Sequence, residues 1–94
     1  MLHTITLNIR HDGPDSDWQT ILAVYQSMPG WQGTRQIASW FGLHGDAQYI
    51  VASVEPSGAV FEGQVDAGLW TGWLTMLCAR LSLALNREIH DAEM

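Results

Sequence analysis

The stretch that most narrows what this chain can become is "AGLWTGWLTMLCARLSLAL", residues 67 to 85. Leu69, Trp70, Trp73, Leu74, Leu77, Leu81 and Leu85 recur at helical spacing, so one side of a long helix must find apolar cover. Asp66 stands where an N-cap belongs, and Asn86 where a residue in the left-handed conformation closes a helix. The other face carries Thr71, Thr75, Arg80 and Ser82, but Met76, Leu83 and the alanines widen the apolar arc. Such a helix is either buried on most of its circumference or shared with a second copy of the chain. Ninety-four residues suffice for one core around it and not for two, so residues 1–94 read as a single domain. With 47% hydrophobic and 15% charged residues, the chain has the apolar surface to offset ordering entropy, which excludes intrinsic disorder.

Around that helix the remaining elements follow from periodicity. Ile5, Leu7 and Ile9 alternate with polar residues and predict a strand over 3–10. Ser16 and Gln19 have capping-box spacing before Trp18, Ile21, Leu22, Tyr25 and Met28, predicting a helix over 17–28 that Pro29-Gly30 ends. Ile37, Ser39, Phe41 and Leu43 can line one face of a strand in the glycine-containing middle. "QYIVASVE", the turn "EPSG" and "AVFEGQV" predict a hairpin over 48–65 with Glu62 and Gln64 outward. Glu88 to Asp91 would add a short last strand. The order β-α-β-β-β-α-β makes this an α+β protein, a two-layer sandwich with a mainly antiparallel sheet of four or five strands and two helices on one face.

Charge restricts the partners. Ten acidic residues oppose four arginines and no lysine, for a net −6. That field repels phosphate backbones and anionic lipid, so no nucleic acid and no membrane partner is expected, whereas a basic protein is attracted. The single cysteine, Cys78, rules out an intramolecular disulfide and a multi-thiolate zinc site. The N-terminus has no signal-peptide apolar region, and no apolar run is long enough to span a membrane; a cytoplasmic location is expected.

No motif carries chemistry. "HDGPDSDW", residues 11–18, places Asp12, Asp15 and Asp17 before and within a first helical turn, where the helix dipole alone explains negative charge. Its spacing does not build a calcium loop. His3, His11, His44 and His90 show no zinc-binding spacing, and His11, His90 and Asp91 are the one weak acid–base set. Cys78 reads as a small core residue. Without lysine there is no Walker loop, and no serine sits in a nucleophile elbow. Neither catalysis, metal nor cofactor is expected.

Trp31 and Trp40 lie in the irregular middle segment beside glycines, as interface anchors or as cover for one end of the sheet. The reading is a small acidic protein-binding domain of the bacterial immunity-protein or antitoxin kind, neutralising a basic toxic enzyme. Asp12, Asp15, Asp17, Asp46 and Glu55 would supply charge and Trp31 or Trp40 the anchor. The alternative is a homodimeric small-ligand-binding or accessory domain without catalysis, joined through helix 67–85 and the open sheet face.

Overall fold

Asp66 caps the long helix as its position suggests: in the computed structural model, which describes residues 1–34 and 36–93, its carboxylate accepts from the N–H groups of Gly68 and Leu69. The helix, α2, runs Ala67–Leu85 and closes on Asn86 at φ 54°, ψ 42°. Trp70, Trp73, Leu74, Leu77 and Leu81 form its buried side. The other elements are β1 (Leu2–Leu7), α1 (Asp15–Ser27), β2 (Ala38–Trp40), β3 (Tyr49–Glu55) and β4 (Gly58–Gln64). All three strand pairings are antiparallel, in the order β1-β4-β3-β2. The molecule is thus an α+β protein, with a four-stranded antiparallel sheet and two helices among the described residues.

Register sorts the sheet residues by face. Ile5 pairs with Phe61 and Phe61 with Ala52, while Leu7 pairs with Ala59 and Ala59 with Val54; this row faces the helices. Thr4, Glu62 and Val51 form the corresponding row on the open face. The core is continuous from Leu7, Phe61 and Ile50 on the sheet to Ile21 on α1 and Leu77 and Leu81 on α2. Glycine lets the layers close at one point: a Cβ on Gly63 of β4 would run into the Trp70 ring of α2. At the hairpin turn Gly58 has φ 137°, a conformation only glycine adopts freely.

Four boundaries differ from the sequence reading. Pro14, rather than Ser16, occupies the N-cap of α1, and no side chain caps it; proline's fixed φ supports that entry, and the Ser16 carbonyl instead accepts from Thr20 Oγ1. The middle strand shortens to three residues because Phe41, at φ 66°, turns the chain away. β1 ends at Leu7, before the Arg10 boundary. The expected last strand is reduced to a Leu7–Asp91 bridge, held by Asn8 N–H to the His90 carbonyl and Ala92 N–H to the Thr6 carbonyl.

Candidate functional site

The helices do not cover the whole sheet. Asp15, Trp18, Leu22 and Tyr25 fall at i, i+3, i+7 and i+10 along α1 and so share one side of it. That side overlooks β2 and β3, where the paired residues Ala38 and Ala52 raise only methyl groups from the sheet. The result is a groove of about 360 Å³ between α1 and the β2–β3 end, walled by Trp18, Leu22, Tyr25, Ile37 and Val54. It is apolar yet wet: Ile37 is 55% and Val54 49% exposed, and Leu22 39%. Thr34 and Gln36 place polar atoms along its rim. Burial pushes the Tyr25 phenol well above the usual tyrosine range.

Asp15 and Asp17 stand in the first turn of α1, Asp15 on the groove side of the helix and Asp17 on the cleft that Arg10 and Arg87 also line, and among the described residues neither has a cationic partner within ion-pair distance. Asp12 differs. Its carboxylate accepts two hydrogen bonds from Arg10, at 2.8 and 2.9 Å, and that pairing holds it below the ordinary carboxylate range. Its charge is therefore already neutralised. Glu55, exposed at the end of β3, lies at the same end of the sheet, because residues 10–12 flank the Pro56–Gly58 turn. Asp46 sits in the loop before β3, where its carboxylate accepts from the Leu43 N–H. It is thus separated from Glu55 by the length of β3, roughly 20 Å. The five acids expected to act together do not form one patch; Asp15, Asp17 and Glu55 share an end, Asp12 is paired and Asp46 is remote.

The tryptophans also divide. Trp40 is 0% exposed. Its indole N–H donates to the Tyr25 carbonyl, and its ring meets those of Tyr25, Phe61 and Trp73. It is a core residue, and the expectation that it anchors a partner is corrected. Trp31 is half-buried, edge-on to Trp40 with centroids 5.6 Å apart. It belongs to the strip that flanks β2 through Gln32 N–H to Ser39 O and Phe41 N–H to Gly30 O.

The four histidines occupy separate places, and among the described residues no group of three potential metal ligands converges. His3 stacks on Trp70 and donates to the Val65 carbonyl. The His90 ring points at the carbonyl of Asp91 rather than its carboxylate, and His11 is exposed, so no histidine–carboxylate pair forms from His11, His90 and Asp91. A cluster that the sequence reading missed lies on the open face. Glu62 accepts from the Tyr49 hydroxyl at 3.1 Å and lies 3.5 Å from His44 Nε2. Burial, reinforced by the Glu62 hydrogen bond, raises the Tyr49 phenol. The three groups clasp the 42–48 loop onto the sheet; only strand register, absent from periodicity alone, brings Glu62 beside Tyr49.

The chain matches no protein-family model, no curated protein and no solved structure. No helix among the described residues is long and apolar enough to cross a membrane.

Proposed function

We propose that this is a non-catalytic, acidic protein-binding domain of the bacterial immunity-protein or antitoxin kind, acting in the cytoplasm on a basic protein such as a toxic enzyme. The observation that carries the reading is the uncovered apolar groove, with Asp15 on the same side of α1 and Asp17 beside it in the first turn. A partner segment with aliphatic side chains over Leu22, Ile37 and Val54 and a lysine or arginine at the helix start would match both features. Burying the exposed halves of those three side chains is worth about 3 kcal/mol, roughly a hundredfold in affinity. The charges act mainly on encounter rate and on the choice of partner. Trp31, half-buried on the strip that leads to the rim residues Thr34, Gln36 and Ile37, is the tryptophan left to act as an anchor.

A small-ligand site is the second reading, since the groove volume falls within the range such sites occupy. Its open walls suit side chains of a partner better than an enclosed ligand.

The test is recovery of a basic partner from the source cell lysate, followed by titration of the purified pair. Leu22→Glu in the groove and the double reversal Asp15→Lys/Asp17→Lys are each expected to weaken binding at least about tenfold. The reversal should also flatten the salt dependence. Binding that neither variant changes would overturn the reading.

A further inference from the structure

The two edges of the sheet are finished differently. Beside β2, residues 30–34 lie along the edge through Gln32 N–H to the Ser39 carbonyl, Thr34 N–H to the Ile37 carbonyl and Phe41 N–H to the Gly30 carbonyl. Beside β1 only one half is covered: Asn8 N–H bonds the His90 carbonyl, Ala92 N–H bonds the Thr6 carbonyl, and the chain turns at Ala92. In an antiparallel ladder the residues that direct their backbone groups to one side alternate. Thr6 bonds outward, so Thr4 and Leu2 also turn N–H and C=O away from β4, and among the described residues nothing meets them. The strand "LHTITL" carries no lysine, proline or bulge, the usual protections of an open edge.

A groove of about 460 Å³ runs beside this open half, walled by Ile5 of β1 and by Trp70, Leu74 and Cys78 of α2, with Ile89 and Asp91 at its end. Asp91 forms no ion pair among the described residues. Burial, and then the Asp91 carboxylate, raise the Cys78 thiol, which shows that this negative charge acts on the groove. On the other face of the sheet Thr4 pairs with Glu62, so a second carboxylate stands one strand in from the same edge. Its Oε1 has no hydrogen-bond partner among the described residues.

We propose that an extended basic segment of a partner protein adds to the sheet along residues 2–6 of β1, with its alternate side chains in the groove beside α2. In antiparallel pairing the segment residue opposite Thr4 exchanges two hydrogen bonds with it, at the ordinary strand spacing of about 4.8 Å. Its neighbours, opposite His3 and Ile5, point to the helix side, where apolar groups meet Ile5, Leu74 and Cys78. The residue opposite Thr4 lies on the open face, and an arginine there extends over the short Thr4 side chain toward Glu62. Main-chain bonds supply affinity in this mode and alternate side chains supply specificity.

Charge decides between this occupant and a second copy. Asp66 lies two residues beyond Gln64, the partner of Leu2, while Asp91 bridges to Leu7, so the two acids mark opposite ends of the edge. Two β1 strands paired antiparallel about Thr4 set the Asp66 end of each against the Asp91 end of the other, between chains that each carry −6. A segment bearing arginine or lysine meets the same carboxylates favourably. The edge lies across the sheet from the α1 groove, and the proposal does not rest on the reading of that groove.

The probe is a blocked hexapeptide of alternating arginine and valine, titrated to about 1 mM against the isotope-labelled full chain. Binding is expected to shift the amides of Thr4, Ile5 and Cys78 and to slow hydrogen exchange of the Thr4 N–H at least about tenfold. A twin peptide methylated on its arginine amide nitrogens keeps every charge and side chain but cannot donate to the edge. It should bind at least about tenfold more weakly, a loss that general attraction to an acidic protein does not produce. Thr4→Pro removes the outward N–H while leaving the β4 ladder its bonds, and should weaken the parent peptide about tenfold. Circular dichroism reads the fold of that variant, and the methylated twin decides the matter if it does not fold. Asp91→Asn, which retains an acceptor for the Glu93 N–H, should weaken binding about threefold. No binding over the range, equal affinity of the methylated twin, no loss in either folded variant, or shifts confined to Ile37, Val54 and the α1 groove would each overturn the proposal. So would a dimer through β1 that excludes the peptide, since the occupant would then be a second copy.

Discussion

Tyr25 joins the two most informative parts of the molecule, since its ring packs on Trp40 and Phe61 while its side chain also lines the groove. Burial raises its phenol pKa, so the folded protein keeps a proton that the unfolded chain releases near pH 10. The stabilisation is fully present below that pH and is lost as pH rises toward the folded value; above pH 10 the unfolded state binds fewer protons, and stability falls by about 1.4 kcal/mol per pH unit for this group. Tyr49 shifts in the same direction and adds to the slope. Urea unfolding at pH 8, 10 and 11 should show this decline in the wild type and a shallower one in Tyr25→Phe. Equal slopes would mean that the phenol is solvated in the folded state. At this scale the sequence was legible where a residue answers to its chain neighbours. Asp66 and Asn86 cap α2 as their positions implied. Trp40 was left between partner anchor and sheet cover, because its burial depends on Tyr25, Phe61 and Trp73, which are remote in sequence.

The elements show the same division. Helix α2 and the β3–β4 hairpin were readable because long periodic runs and the Pro56–Gly58 turn are local signals. The strand preceding the hairpin was overextended because alternation at Ile37, Ser39, Phe41 and Leu43 cannot reveal that Phe41 adopts a left-handed backbone. The groove was hidden for a related reason: it exists because α1 leaves Ala38 and Ala52 uncovered, a fact of helix placement rather than of pattern. The two helices also begin differently. Asp66 supplies two hydrogen bonds to the start of α2, whereas α1 starts on Pro14 without a side-chain cap and relies on Asp15 and Asp17 to complement its dipole. Asp66→Ala should therefore cost about 1 kcal/mol, read from the denaturant midpoint at constant m-value. Asp66→Asn, which retains an acceptor, should recover most of that loss. If both substitutions cost the same, charge rather than hydrogen bonding holds the helix start.

Over the whole molecule, charge and apolar surface are separated in a way that gives salt two opposite effects. Asp15, Asp17 and Glu55 share one end and form no ion pair among the described residues, while Arg10 is committed to Asp12. In the free protein this asymmetry is self-repulsion, and raising ionic strength from about 10 mM to 0.5 M shrinks the Debye length from roughly 30 Å to under 5 Å. The melting temperature of the free chain should therefore rise by several degrees, the equivalent of about 1 kcal/mol in a domain of this size. Partner binding through the same carboxylates should weaken over the same range. The two salt titrations thus have opposite signs, and a partner complex indifferent to salt would remove Asp15 and Asp17 from its interface.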